Sequence, residues 1–300
     1  MFNKREICVL ENCMDFWFVT TDHLTDRIWF KDDEDYKVGM NLVAVLVVAI
    51  SVDILAFCLM SNHVHFVLVC PEKKARQFVE EYKKRYAQYL HHKYGVKDFL
   101  RRNHVDIQSI SGMNESMERA VAYTQMNPVA AGICLSPIYY PWGTGDSFFR
   151  VKARKGRRLD TFSERARRRM LHSAQKMPGH FLVGEEGYIL PESYVKVDMI
   201  ETVFRTPQRM NYFLQNSSKA KRRIDSMDVD MPAFRDQVLT AAMPDLCQSL
   251  FKKRSIQDLS DDEQSELLKQ LRFRFSANVN QLARVTGFSY KQVVELLDRA

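Results

Sequence analysis

An α+β fold is predicted for this 300-residue chain, with an antiparallel sheet in its first half and a mainly helical C-terminal region. Three observations predict it. β-branched and aromatic runs alternate with long helical patterns over residues 1–149. A two-residue turn joins two of those runs, so they pair as a hairpin. Residues 241–300 show helical spacing interrupted by Gly287.

The elements follow in order. "FWFVTT" (16–21) is aromatic and β-branched, which suits a strand. "DDEDYKVGMNLVAVLVVAI" (32–50) opens with acids that suit the positive end of a helix and then turns apolar. "VDILAFCLM" (52–60) and "HVHFVLVC" (63–70) are strands, joined by a tight turn at Ser61 and Asn62. From Pro71 to Gly95, Phe78, Tyr82, Tyr86, Tyr89 and Leu90 recur at helical spacing. These aromatics either pack on the sheet or stack on bases. "VDIQSI" (105–110) is a fourth strand. "SMERAVAYTQM" (116–126) is a helix that Asn127–Pro128 should end or kink. The order βαββαβ is that of the ferredoxin-like split βαβ arrangement, with both of its helices on one face of the sheet. The helix at 116–126 has no place in that minimal core and is free to cross the other face.

Domain boundaries are expected near 149 and 240. Residues 150–240 read as a basic linker and accessory region, with Pro178, Pro191, Pro207 and Pro232 and no repeat. In the last segment, "DDEQSELLKQLRFRF" (261–275) is an amphipathic helix. "NQLARVTG", "FS" and "YKQVVELLDRA" then form a helix-turn-helix pattern. Leu282, Ala283, Val285, Phe288, Val293, Val294 and Leu297 would pack its helices. This module either contacts DNA, with Tyr290 and Lys291 at the start of the second helix, or is a packing or dimerisation bundle.

The chain is 46% hydrophobic and 27% charged, with a net charge of +7 and a pI near 9.0. Residues 150–169 hold ten basic residues against two acidic. Arg150, Lys152, Arg154, Lys155, Arg157, Arg158, Arg167, Arg168 and Arg169 form a candidate phosphate track; a solvated linker is the other reading. "KAKRR" (219–223) and "FKKR" (251–254) are further basic clusters. The six cysteines form no C-x-x-C pair, which suits free thiols in a reducing compartment. The N-terminus lacks the pattern of a signal peptide. "LVAVLVVAI" (42–50) is shorter than the roughly 20 apolar residues that span a bilayer. A cytoplasmic, nucleoid-associated protein without membrane attachment is expected.

His63 and His65 alternate along a strand, so they project to one face while Val64 and Phe66 face the other. Such a pair can hold one divalent metal or can be satisfied core residues. Tyr123 and Asn127 are i, i+4 neighbours on one helical face. If that helix crosses the histidine face, a phenol and an amide converge on two imidazoles. Taken singly, Tyr123 also reads as a half-buried aromatic, and Asn127 as a helix-ending residue.

"LMSNHVHFVL" followed by "YTQMNPVAAG" resembles the single-tyrosine HUH transposases, most closely their REP-associated tyrosine transposase branch. The positions carrying the resemblance are His63, Val64, His65, Tyr123, Asn127, Pro128, Val129 and Gly132. "YPWGTGDSFF" resembles that family's Y-P-W-S-S stretch, with "GTG" in place of the serines. The resemblance covers residues 16–149. It implies cleavage and rejoining of single-stranded DNA that carries palindromic hairpins. Mg²⁺ or Mn²⁺ would be held by His63, His65 and Asn127, and Tyr123 would be the nucleophile that leaves a 5′-phosphotyrosine. A phenol ordinarily keeps its proton to about pH 10, and Gln125 is placed to orient a water. A homodimer that exchanges the tyrosine helix is compatible with the family. Three rivals remain: a DNA-binding regulator without cleavage, a metal-dependent hydrolase using water, and a structural zinc site.

Overall fold

The computed structural model describes residues 15–22, 24, 27–97, 100, 103–217, 234, 236–275 and 277–298. Cys8, Cys13 and the basic cluster at 219–223 lie outside the described residues. The first strand is β1 (Phe16–Thr21) and the first helix α1 (Asp33–Ile50). The hairpin strands are β2 (Asp53–Met60) and β3 (His63–Val69), followed by α2 (Glu72–Tyr94) and β4 (Val105–Ile110). The strands pair antiparallel in the order β2-β3-β1-β4. This is the expected ferredoxin-like order. The Asp32 side chain caps α1 by accepting from the Asp35 N–H at 2.8 Å, and Asp33, Glu34 and Asp35 complement the helix dipole in its first turn.

α1 is buried on nearly all sides from Tyr36 to Val47, as its almost unbroken apolar run requires. The sheet covers one side, and the region read as a linker covers another. Asn41, 2% exposed within that run, donates to the Met170 carbonyl at 3.2 Å and accepts from the Ile189 N–H at 2.9 Å.

Residues 150–217 therefore belong to the core of the sheet domain, which differs from the expected linker. Leu159, Phe181, Ile189, Tyr194, Ile200 and Phe204 share one continuous cluster with the sheet. The regular elements here are short: β5 (Arg157–Arg158) pairs with β6 (Leu182–Val183), and three helices are α5 (Glu164–Leu171), α6 (Val197–Phe204) and α7 (Pro207–Gln215). The apolar residues fall singly between bends and arginines, so no period marks them. Two extended pieces also shield the outer edge of β2, through bridges Cys58↔Gly143 and Ile54↔Val195. Unpaired edges are sites of unwanted strand addition, and this cover removes one.

A second core cluster lies in α8 (Asp236–Phe251), α9 (Asp261–Phe275), α10 (Val279–Thr286) and α11 (Tyr290–Leu297). The first of these helices starts ahead of the expected boundary near 240. Leu282, Ala283, Val285 and Val293 are buried as expected, and Leu296 joins them. Val294, Phe288 and Leu297 are half-buried. Gly287, at φ 77°, ends α10 in a left-handed conformation that a side chain would disfavour. Ser289 and Gln292 form a capping box that starts α11. No helix among the described residues is long and apolar enough to cross a membrane.

Candidate active site

β3 places His63 and His65 on the same face of the sheet. Across the hairpin, His63 lies opposite Met60 and His65 opposite Cys58, while β1 sets Thr20 against His65. The two rings are 4.7 Å apart between centroids and nearly perpendicular, at 88°. They are 3% and 1% exposed. On the opposite face, Phe66 packs against Phe78 and Tyr82 of α2. Phe78, Tyr82 and Tyr86 are thereby committed to the core, which excludes base stacking by them.

The helix that crosses the histidine face is α3 (Glu115–Gln125), capped by Asn114 and packed over β2, β3 and β4. Met117, Val121 and Ala122 face inward. The Tyr123 ring meets His65 edge-on at 5.9 Å and Phe18 edge-on at 5.5 Å. Phe18 stacks on His65 at 5.7 Å and 23°. Phe18 is thus the aromatic wall that sets the angle between phenol and imidazole. Tyr123 is half-buried. By contrast, Tyr36, Tyr82, Tyr86 and Tyr194 are wholly buried, and burial raises their phenols above the ordinary range. None of those four suits a nucleophile.

Asn127 does not simply end the helix. It opens a further short turn, α4 (Asn127–Ala130), with Pro128 in its first turn, where a missing N–H costs least. Its amide nitrogen donates to the Tyr123 carbonyl at 2.9 Å and the Thr124 carbonyl at 3.2 Å. The side chain therefore splints the break directly after Tyr123. Asn127 and His63 line one cleft. His63, His65, Tyr123 and Asn127 are brought together within a single chain. Gln125 goes elsewhere. It is 2% exposed, and its amide nitrogen donates to the Thr144 carbonyl at 3.3 Å.

The donor chemistry fits a divalent cation with open positions. Asn62 donates from its amide nitrogen to the Leu24 carbonyl at 2.8 Å, so its amide oxygen faces His63 Nδ1, also at 2.8 Å. That oxygen only accepts, so Nδ1 carries the proton and Nε2 the lone pair that can ligate. The Asn127 amide, with its nitrogen spent on carbonyls, offers its oxygen. Among the described residues no group of three or more His, Cys, Asp or Glu is placed to hold a metal. The available set is two imidazoles and an amide oxygen, which argues against a closed structural zinc site.

The basic residues divide. Arg150 and Arg154 both reach Asp146, and Arg154 also reaches Glu192 at 3.1 Å. Arg158 pairs with Asp160, and Arg168 with Glu164. Arg157 lies over the Phe162 ring at 4.4 Å. Lys152, Lys155 and Arg169 are exposed, and Arg167 is half-buried. The track is therefore weaker than a count of charges implies. Tyr290 is 54% exposed, and Lys291 pairs with Glu295 one turn on, at 3.5 Å.

Sequence reasoning missed several contributors. Asn62 read only as a turn residue. The buried Glu118 of α3 is held by Arg209 of α7, which fixes the tyrosine helix from outside the sheet. Gly143 and Gly145 sit where other backbone approaches closely. A Cβ would lie 2.6 Å from the Phe57 carbonyl oxygen at Gly143 and would collide with that of Pro137 at Gly145. Asp236 accepts from Ser61 at 2.6 Å, from Gln281 at 2.9 Å and from Arg284 at 3.0 Å. It thus joins the C-terminal helices to the turn preceding His63.

Residues 27–112 match the model of the family described as Transposase IS200 like. The matched segment contains both histidines and stops before Tyr123. It bears out the resemblance to the single-tyrosine transposases. One solved structure, described as "Structure of the REP associates tyrosine transposase bound to a REP hairpin", is 16% identical, covers 44% of this chain and 78% of its own, and has a TM-score of 0.35. No curated protein matches the chain.

Proposed function

We propose that this chain, IS200-like in the segment that carries its two histidines, is a transposase that cleaves and rejoins single-stranded DNA with Tyr123 as nucleophile. The observation that carries the reading is the ring cluster: Tyr123 at 5.9 Å from His65, and His65 at 4.7 Å from His63. His63 Nε2, His65 and the Asn127 amide oxygen would hold Mg²⁺ or Mn²⁺, which when bound withdraws charge from a phosphate. The Tyr123 oxygen attacks the phosphorus of the scissile diester. A tyrosine–phosphorus bond forms at the 5′ side, and the bond to O3′ breaks. The departing oxygen takes a proton and becomes a 3′-hydroxyl, while the phenol proton passes to solvent. The reverse attack by another 3′-hydroxyl restores a diester and frees the tyrosine. Phe18 and the Asn127 splint hold the phenol oriented, which lowers the entropy cost of attack.

Several features support DNA as the substrate. The net charge is +7, and Lys152, Lys155 and Arg169 are solvent-exposed. The substrate class is single-stranded DNA with a palindromic hairpin, such as the flanks of the gene itself would supply. The test is a denaturing gel with end-labelled hairpin DNA, Mg²⁺ or Mn²⁺, and Tyr123→Phe beside the wild type. An SDS-stable adduct that needs metal and disappears in Tyr123→Phe is expected. Cleavage that persists in Tyr123→Phe would replace this reading with a hydrolase. Tight binding without cleavage of a recognised hairpin would replace it with a regulator.

A further inference from the structure

We propose that the cleft between the catalytic hairpin and the C-terminal helices is a binding site for one nucleotide unit of single-stranded DNA, with Arg284 on its phosphate and the amides of Asn280 and Gln281 on its base. The proposal rests on the transposase reading and places the C-terminal module at the reaction centre, not on a distant duplex. The cleft is about 260 Å³ and is lined by His63 and Asn127 on one side and by Asn280, Gln281 and Arg284 on the other. That volume falls below the roughly 300–1,000 Å³ of sites taking a whole drug-sized ligand, which suits a single unit of a strand passing through.

The chemistry of the walls is that of a nucleotide site. Gln281 is 5% exposed. Its amide nitrogen serves Phe234 and Asp236, while its buried amide oxygen has no hydrogen-bond partner. An unpaired buried acceptor is costly, and a small turn of the Gln281 side chain toward the cleft it lines would offer that oxygen to a base amino group. Asn280 is exposed and borders the cleft. Arg284 spends Nε and one terminal nitrogen on Asp236, at 3.0 and 3.2 Å. A guanidinium has five N–H groups, so others remain for a phosphate oxygen. Asp236 would repel an anion if uncompensated. Here both of its oxygens are engaged, by Ser61, Gln281 and Arg284. The exposed end of α11, with Tyr290 and Lys291, lines no part of this cleft.

The test is equilibrium binding of a 5′-fluorescein single-stranded oligonucleotide from the gene flank, read by anisotropy with the full chain across a salt series. Asn280→Asp places a negative charge in the cleft and is expected to weaken binding about tenfold or more. Gln248→Glu adds the same charge on an exposed residue outside the cleft and is expected to change little. Arg284→Gln is expected to flatten the slope of log K against log salt by about 0.7, the value for one phosphate contact on a single strand. Because Arg284→Gln also uncovers the Asp236 carboxylate, the double substitution Arg284→Gln with Asp236→Asn is measured beside it; a merely structural arginine would leave the slope of that pair unchanged. Wild-type affinity and slope in both Asn280→Asp and Arg284→Gln would overturn the site while leaving the Tyr123 reading intact. Faster cleavage at unchanged affinity would also overturn it, since the module would then shield the hairpin. A wild type that binds no single strand at all would overturn both readings.

Discussion

Replacing Asn62 tests the site through the residue that holds the His63 imidazole. Its side chain bridges the Leu24 carbonyl and His63 Nδ1, each at 2.8 Å, and is 7% exposed. Asn62→Leu keeps the volume and removes both bonds. A buried donor left unsatisfied costs about 1–3 kcal/mol, and every 1.4 kcal/mol is about a factor of ten. The imidazole would turn or change tautomer, so the apparent metal requirement should rise about 10–100-fold, the usual effect of losing a residue that orients a metal-binding histidine. Asn62→Asp keeps the acceptor toward His63 and loses only the donor toward Leu24. Its metal requirement should therefore rise less than that of Asn62→Leu, because the contact that orients His63 is kept. The assay is the rate of adduct formation against Mn²⁺ concentration, with a thermal melt to confirm folding. Wild-type metal dependence in folded Asn62→Leu would refute the assignment of His63 Nε2 as the ligating atom.

Gly143→Ser restores the residue usual in the resembled family. It should destabilise this chain by about 2–4 kcal/mol, combining overpacking against the Phe57 carbonyl with a weakened Thr144–Phe57 hydrogen bond; a urea midpoint unchanged from wild type would contradict the close approach. His172, whose imidazole burial pushes below its ordinary value, stands at φ 48° beside Tyr89. Its folded-state value lies below the unfolded one, so its contribution is complete above about pH 6.5 and is lost as pH falls through the folded value. The gap in urea midpoint between wild type and His172→Asn should therefore change between neutral and mildly acidic pH; a constant gap would show that His172 is solvated. Alanine at either His63 or His65 should lower adduct formation by about 10²-fold or more, measured on the same gel, and residual wild-type activity would remove the metal from the reading.

The sequence by itself determined the sheet and the pairing of chemical groups along it. Alternation put His63 and His65 on one face, helical spacing tied Asn127 to Tyr123, and the order βαββαβ left one face for α3 to cross. These are local periodicities, and a residue's own neighbours state them. Tertiary structure alone decided what holds the site in place. Asn41 is satisfied by residues 129 and 148 positions away, and Ser61 meets Asp236 across 175. Glycine at 143 follows from the approach of the Phe57 carbonyl. The segment 150–217 reads as a linker because its core residues sit singly between short elements and arginines. Several of those arginines are neutralised by acids that become partners only on folding, as Asp146 and Glu192 do for Arg154. Such contacts join segments with no shared period. They exist only once the chain has closed its long loops, and no local pattern can announce them.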